Sequence, residues 1–281
     1  MNAPSVHRKK DLLQALDISL PPIVIPLVKG NVSAAADKVG FVLPDKLTLS
    51  KIAGRLATGG AGTNTTKTVV DMLIDGVSVL RERLAHVLVY TAGDQTYTDQ
   101  TDAAWTVSGS DAFEFCAATG DRLYIGHHKP FRSLWYSSAV AGNTGAATFK
   151  YSRAGDTTPA GSFSGLTNGT LGSKPFDQSG LITWTMPSNW APITINGISA
   201  YWMSVALAAT ITTAPQAAEI SIADGLIQIA KGDGSAVVTD IVTLAKPLVL
   251  RAGETISLDI KAVPETTPPT DLSVSLGPSL L

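Results

Sequence analysis

Strict alternation of apolar and polar residues near the end of the chain is the feature that most constrains its fold. In "ETISLDIKAV" (254–263), Ile256, Leu258 and Ile260 fall on one face, and the residues between them are polar. "DLSVSLG" (271–277) repeats the pattern. A period of two is typical of antiparallel strands that cover a core with one face. Both segments are therefore predicted to be half-buried strands.

The same signal recurs earlier, and no long helical period follows residue 40. "KTVVDMLIDGVSVL" (67–80) has two apolar-rich runs around Asp75-Gly76. An Asp-Gly pair favours the type I′ turn of a two-residue hairpin. Asn196-Gly197 is a second turn signal of the same kind. Many short strands separated by turns predict an all-β protein built as a β-sandwich or jelly roll.

Composition divides this β region into two kinds of sequence. All five tryptophans lie between residues 105 and 202, whereas the stretches 46–90 and 218–281 are aliphatic and poor in aromatic residues. We therefore predict a discontinuous outer β-sandwich formed by 46–90 plus 218–281. Residues 91–217 are predicted to form a jelly-roll-like β domain inserted into one of its loops. Chains tolerate such insertions where the two loop ends lie close together at the surface.

Residues 1–45 are predicted to form an extended N-terminal arm. The stretch 8–17 ("RKKDLLQALD") is compatible with one short helix, which prolines 21 and 22 would end. The apolar stretch "PPIVIPLVKG" (21–30) follows, and an extended arm can add a strand to the sheet edge of a neighbour. The side chains expected to bind a partner are Ile23, Val24, Ile25, Leu27, Val28, Arg8, Lys9 and Lys10.

Charge, cysteine content and hydropathy exclude several classes of function. The formal net charge of −2 argues against a nucleic-acid partner, which requires a basic surface. Cys116 is the single cysteine, so no intramolecular disulfide or cysteine-based zinc site is expected. No segment reaches the roughly 18 apolar residues of a membrane span, and we recognise no signal peptide. We therefore expect a soluble protein made in a cytoplasm.

The strongest candidate for chemistry is "GDRLYIGHHKPFRSLWY" (120–136), which holds His127 and His128. Adjacent histidines on a strand point to opposite faces, and Asp121 is the one nearby carboxylate in the sequence. We interpret "HHKP" as a loop between two strands, and a metal site built with non-local ligands is the open alternative.

Other motifs do not supply a catalytic centre. "GSFSG" (161–165) does not match a nucleophile elbow, and "ATGGAGTN" (57–64) lacks the lysine of a phosphate-binding loop. Acidic residues are scattered through turns, so a glycosidase-like carboxylate pair cannot be recognised. We predict no catalytic, cofactor-binding or metal-binding residue, and no cofactor.

The tryptophans admit two interpretations. Large aromatic side chains usually anchor small β cores, and Trp184 in "LITWTMP" lies on an apolar face, which favours a core position. Trp135 and Tyr136 are neighbours on one predicted strand and must face opposite ways, so one of them is expected to be exposed. These two residues are the candidates for contact with a glycan.

Two regions of the chain are similar to proteins of tailed bacteriophages. The stretch 120–136, followed by "FDQSGLITWTMPSNWAPITINGISAYWMSVAL" (176–207), resembles β-rich virion proteins. The shared pattern is "YIG", then "KPF", then the aromatic strand of "FKYSRAGD", then a tryptophan-rich pair of strands. "LVLRAGETISLDIKAVPETTPPTDLSVSLG" (248–277) and the hairpin region before it look like another recurrent phage β-sandwich. The histidine pair replaces a hydrophobic-acidic pair that is frequent there.

The resemblance implies a structural protein of the phage virion without a catalytic role, and it does not place the protein on the particle. We expect a non-enzymatic protein that decorates or stabilises the capsid surface, with major capsid or tail proteins as partners. A homo-oligomer, such as a trimer, is expected by analogy with proteins that bind three-fold surfaces. The location would be the virion, after synthesis in the cytoplasm of the bacterial host. The alternative is a tail fibre or baseplate component whose inserted domain binds host surface glycan. A polysaccharide-degrading enzyme is the third and least favoured class.

Overall fold

The computed structural model of the protein describes most of the chain after residue 22. The described residues are 23–31, 33, 35–42, 46–58, 67–106, 111–143, 145–171, 174–208, 211–230, 238–263 and 269–278. They contain β-strands and no α-helix, so the predicted all-β class is confirmed. None of them lies in a helix of the length and hydropathy that a membrane span needs. The helix predicted at 8–17 falls outside the described residues.

The strands, numbered in chain order, pair antiparallel in four sheets. They are β1 (Ile23–Asn31), β2 (Ala35–Val42), β3 (Leu47–Thr58), β4 (Lys67–Ile74), β5 (Val77–Ser78), β6 (His86–Thr91), β7 (Thr96–Asp99), β8 (Phe113–Glu114), β9 (Arg122–His127), β10 (Ser133–Val140), β11 (Ala147–Tyr151), β12 (Gly161–Ser162), β13 (Ser164–Asn168), β14 (Gly180–Thr185), β15 (Ile193–Ile195), β16 (Ile198–Leu207), β17 (Gln216–Ile222), β18 (Ile227–Ala230), β19 (Val238–Leu250), β20 (Thr255–Ala262) and β21 (Thr270–Pro278).

The chain divides into two compact units. The first comprises residues 1–79 and 226–281, and the second comprises residues 80–225. The first unit contains β1 to β5 and β18 to β21, and the second contains β6 to β17.

The first unit is a sandwich of two sheets, with strand orders β1-β21-β3-β19 and β18-β4-β20-β2. The sheets approach closely at Gly54 of β3, where an added Cβ would lie 2.6 Å from the side chain of Ile227 and 2.8 Å from that of Ile229. Only glycine leaves room there for the facing sheet. The core consists of buried aliphatic side chains that include Ile52, Leu56, Val70, Met72, Ile227, Ile229, Ile256, Leu258, Ile260, Leu272, Val274 and Leu276.

The structure differs from the predicted arm after residue 22. The segment Ile23–Asn31 pairs with β21, and Ala35–Val42 pairs with β20. Both strands belong to the sheets of the first unit, so the sandwich begins before the predicted boundary at residue 46. The apolar extended sequence that suggested an arm therefore serves as edge strands of the chain's own sheets.

The half-buried prediction is confirmed for β21 and wrong for β20. On β21, Leu272, Val274 and Leu276 are buried, whereas the serines between them are partly exposed. On β20 the intervening Ser257 and Asp259 are buried as well. β20 is a central strand between β4 and β2, and its second face is also covered.

The second unit is also built from two sheets that share one core. Their orders are β13-β14-β10-β17-β8 and β12-β11-β16-β9-β6-β7, with β15 paired to β16 as an additional strand. Trp184 and Trp190 are buried in this core, which confirms the core interpretation of Trp184. The core side chains also include Leu123, Ile125, Phe131, Leu134, Tyr136, Phe149, Tyr151, Phe176, Ile182, Met203, Val205, Ile220 and Ile222.

The two ends of the second unit lie side by side. Glu82 and Ile222 exchange two backbone hydrogen bonds, of 3.0 and 2.9 Å, and a Cβ added to Gly225 would lie 2.5 Å from the carbonyl oxygen of Leu80. The sequence boundaries at residues 91 and 217 instead fall within or beside strands of this unit, because β6 and β17 pair inside its sheets.

Candidate functional site

The histidine pair is split between the core and the surface. His127 is the last residue of β9 and is 5% exposed, whereas His128 is exposed. The loop interpretation is therefore wrong for His127. Along β9, Leu123, Ile125 and His127 alternate onto the face that covers the core, and the ring of His127 lies 6.4 Å from that of Phe131.

His127 is part of a small polar chain. Its Nε2 lies 3.1 Å from Oε1 of Glu82, and Oε2 of Glu82 lies 2.9 Å from Nζ of Lys129. Burial lowers the pKa of His127 below its ordinary value and outweighs the opposite effect of Glu82. Burial raises the pKa of Glu82, but Lys129 and His127 together hold it below its ordinary value. A neutral imidazole that donates Nε2–H to an ionised carboxylate fits both directions.

Within the described part of the chain, the three histidines His86, His127 and His128 lie near one another without forming a cluster of ligands. The ring centroids of His127 and His128 lie 5.4 Å apart, and those of His86 and His128 lie 6.1 Å apart. No group of three or more His, Cys, Asp or Glu side chains in the described part of the chain has a geometry that could hold a metal ion.

Two buried carboxylates, which the sequence could not pair, face each other across neighbouring strands of the first unit. Asp71 of β4 is opposite Asp259 of β20, and both are buried. Ser78 donates a hydrogen bond of 2.7 Å to Asp71, and Nζ of Lys261 lies 2.9 Å from Asp259. Their burial and their partners within the sheet are typical of structural polar groups rather than of an acid and base that a substrate could reach.

Cys116 is also unsuited to nucleophilic chemistry. It is buried, and burial raises the pKa of its thiol to about 12. A nucleophilic cysteine requires the thiolate form, which this environment disfavours.

A row of tyrosines, unnoticed in the sequence, lies on the face of the β6–β7–β9 sheet that points away from the main core. Tyr90 of β6 is opposite Tyr97 of β7 and Arg122 of β9, and Tyr124 is the next residue of β9 on the same face. The centroids of Tyr90 and Tyr97 lie 4.9 Å apart, and those of Tyr97 and Tyr124 lie 5.9 Å apart. We call Tyr90, Tyr97 and Tyr124 the tyrosine row.

A fully buried tryptophan, Trp202, packs against the tyrosine row. Trp202 lies beside Tyr124, with ring centroids 6.4 Å apart, and its Nε1–H reaches the carbonyl oxygens of Ile193 and Ile198. Trp202 packs over Gly126, where an added Cβ would lie 2.6 Å from the indole ring. Tyr124 is buried with Trp202, whereas Tyr90 and Tyr97 are half-buried.

A polar pocket of about 570 Å³ lies where β6 begins and β7 ends, at the opposite end of these two strands from Tyr90 and Tyr97. Its chemistry comes from His86 at the start of β6 and from the segment that leaves β7, and the lining residues are Ala85, His86, Asp99, Gln100, Thr101, Asp102 and Ala103. Burial lowers the pKa of His86 below its ordinary value, and the nearby His128 acts in the same direction. At neutral pH the pocket therefore presents an uncharged imidazole beside two carboxylates.

The residues that the sequence predicted to bind a glycan or a partner do not belong to the tyrosine row or to the pocket. Trp135 and Tyr136 are both buried, and the hydroxyl of Tyr136 donates to the carbonyl oxygen of Gln216, so the expectation that one of them is exposed is wrong. The first half of β10, which contains both residues, is covered on both faces. The apolar arm residues lie in β1, and Arg8, Lys9 and Lys10 lie outside the described residues.

Alternation within "HVLVYT", "TYTD" and "RLYIGH" was the signal that could have revealed the tyrosine row, because each strand places its tyrosine on one face. The pairing of the three strands is not visible in the sequence.

Comparison with protein-family models, curated proteins and solved structures gives no match to the chain.

Proposed function

We propose that this chain is a non-enzymatic structural protein of a tailed-phage virion, which decorates or stabilises the capsid surface. The proposal rests on the motifs that resemble phage β-sandwich proteins, and on a fold of four antiparallel sheets in two units. Its partners would be major capsid or tail proteins and further copies of the same chain, as in a trimer.

The observation that carries the proposal is the position of β1. It is the edge strand of its sheet, paired on one side with β21, and no described strand pairs with its other side. An open strand edge can accept a strand from another protein. This strand contains the apolar residues assigned to partner binding, which are Ile23, Val24, Ile25, Leu27 and Val28. The basic residues Arg8, Lys9 and Lys10 precede it in the chain.

The test uses particles of the phage that encodes the chain, assembled without it. The full chain is expected to sediment with these particles. A chain that starts at residue 23 keeps every described strand, so we expect unchanged β-type circular dichroism with particle binding weakened at least tenfold, because the basic segment is lost. Absence of the chain from purified complete virions, or full-length chain that does not sediment with the deficient particles, would contradict the proposal.

The alternative is a tail fibre or baseplate component whose second unit binds host glycan. Its predicted contacts, Trp135 and Tyr136, are buried and cannot serve it. The tyrosine row and the polar pocket nevertheless support glycan binding by the second unit, because they supply partly exposed aromatic rings and polar groups on one sheet.

A further inference from the structure

We infer that the outer face of β6 and β7 is a binding site for a neutral, hydroxyl-rich saccharide. The half-buried rings of Tyr90 and Tyr97 form one end of this site, and the pocket beside His86 and Asp99 forms the other. Binding of a saccharide at this surface would not require the protein to have any particular location in a virion.

The strand register places the two ends of the site on one face of the sheet. His86, Leu88 and Tyr90 alternate onto one face of β6, and Asp99 and Tyr97 stand opposite Leu88 and Tyr90 on β7. Leu88 between them is buried, so a ligand would contact the two ends of the site. Four residues of a strand span about 13 Å, and a ligand that reaches both ends therefore has the length of a short oligosaccharide rather than of a single sugar.

The two accessible tyrosines are held rigidly. Tyr90 and Tyr97 pack on each other and on Tyr124, whose ring lies 6.4 and 5.9 Å from theirs. Tyr124 in turn contacts the buried Trp202. A ring that is already fixed loses little conformational entropy when a ligand packs against it, and the flat apolar side of a pyranose is such a ligand.

The pocket supplies hydrogen-bond acceptors. Oδ1 of Asp99 accepts bonds of 2.9 Å from the backbone N–H of Thr101 and of 2.6 Å from its hydroxyl, so this carboxylate is fixed in place. Asp102 is ion-paired with Arg83 at the same pocket, and Gln100 adds an amide. Sugar hydroxyls donate to carboxylate and amide oxygens, and a few fixed polar groups beside aromatic rings are typical of sites that orient a small ligand.

Charge selects among saccharides. The pocket lining contains Asp99 and Asp102, but Arg83 pairs with Asp102 there and Arg122 stands opposite Tyr90 on the same face, so the two carboxylates are balanced by two cations. A carboxylated or sulfated sugar would gain no net attraction at such a site and would still lose part of its hydration. We therefore expect neutral saccharides to bind in preference to acidic ones.

The experiment measures binding of the full chain, by titration calorimetry, to neutral tetrasaccharides of glucose, galactose and N-acetylglucosamine, and to an oligogalacturonate of the same length. At least one neutral tetrasaccharide is expected to bind with a Kd below about 1 mM. Tyr97→Ala should weaken that binding at least tenfold, while Tyr97→Phe, which keeps the ring, should stay within about threefold. Asp99→Asn should also weaken it, since one charged acceptor is lost.

Two controls separate binding from folding and from particle attachment. Thr148→Ala lies exposed on β11 of the same sheet, away from the row, and should leave binding unchanged. Tyr97→Ala should leave sedimentation with the deficient particles unchanged, which distinguishes this site from the attachment proposed for β1. Absence of binding by all three neutral tetrasaccharides, binding that survives Tyr97→Ala, or tighter binding of the oligogalacturonate would each overturn the inference.

Discussion

At the scale of single residues, the histidine pair shows that burial, rather than residue type, determines the environment of a side chain. The two side chains are adjacent and of one type, yet His127 lies under the sheet with a partner on Nε2 and none for its buried Nδ1 among the described residues, whereas His128 is exposed. The sequence could have separated them, because "RLYIGH" places His127 on the face of Leu123 and Ile125. The partner Glu82 could not be predicted, since it is 45 residues away in the chain.

The pKa of His127 gives a pH-dependent prediction. Because its pKa in the folded protein is lowered, the unfolded chain takes up the proton first. The stability that neutral His127 contributes is therefore complete above about pH 6.5 and is lost as the pH falls towards the folded pKa. Glu82, whose pKa is also lowered, loses its contribution at lower pH, as its carboxylate is protonated.

Urea unfolding at pH 7.5 and pH 5.0 tests this expectation. Tryptophan fluorescence reports on the second unit alone, because all five tryptophans lie within it. The free energy of unfolding should fall between the two pH values, and it should fall less in His127→Gln, which cannot take up a proton. His128→Gln, at the exposed position, should retain the full decrease. Equal decreases in the wild type and in His127→Gln would contradict the role assigned to this side chain.

At the scale of the element, turns were predictable and strand partners were not. Asp75-Gly76 and Asn196-Gly197 each form the expected two-residue hairpin turn, with positive φ at both positions. That chemistry is local, so the sequence carries it. The burial of Asp259 on β20 depends on covering of both faces of its sheet, and the tyrosine row depends on the pairing of β6 with β7 and β9. Such contacts are set by distant segments, and alternation alone does not reveal them.

Gly126 is a position in the second unit where an added side chain would collide with a neighbouring strand. An alanine Cβ there would lie 2.6 Å from the indole of Trp202, which is fully buried and hydrogen-bonded through Nε1. The ring cannot move away without losing those bonds, so Gly126→Ala should destabilise the second unit by about 1–3 kcal/mol, as in other overpacked cores. Urea unfolding followed by tryptophan fluorescence measures the difference.

Gly93→Ala is the matched control for this prediction. Gly93 is exposed in the turn after β6, it does not have a positive φ, and nothing lies within 4 Å of an added Cβ. Its substitution should leave the free energy of unfolding within about 1 kcal/mol of the wild type. If both variants are equally stable, the packing of Trp202 over Gly126 is not as tight as the structure indicates.

At the scale of the whole molecule, composition indicated two regions but placed their limits poorly. The tryptophan-rich stretch marks the second unit, yet β6 and β17 belong to that unit and contain no tryptophan. A strand is assigned to a sheet by its partners, and "HVLVYT" resembles the aliphatic strands of the first unit until its pairing with β9 is known. The apolar segment before residue 46 was assigned to an arm for the same reason: its partners β20 and β21 lie more than 200 residues further along the chain.

Excision of the second unit tests whether it is an independently folding insertion. Its two ends touch, because Glu82 and Ile222 exchange backbone hydrogen bonds and Gly225 abuts Leu80. In such a pair the Cα atoms lie about 5.5 Å apart, so a short Gly/Ser link between residues 79 and 226 can replace the whole unit. We expect the linked chain to unfold cooperatively with β-type circular dichroism, and residues 80–225 alone to unfold with the same tryptophan transition as the intact protein. A matched excision at the sequence boundaries, which joins residue 91 to residue 216 and so leaves β6 and β17 without their sheets, should aggregate. If the excision at 79 and 226 aggregates with several link lengths, the two units are not separate folding domains.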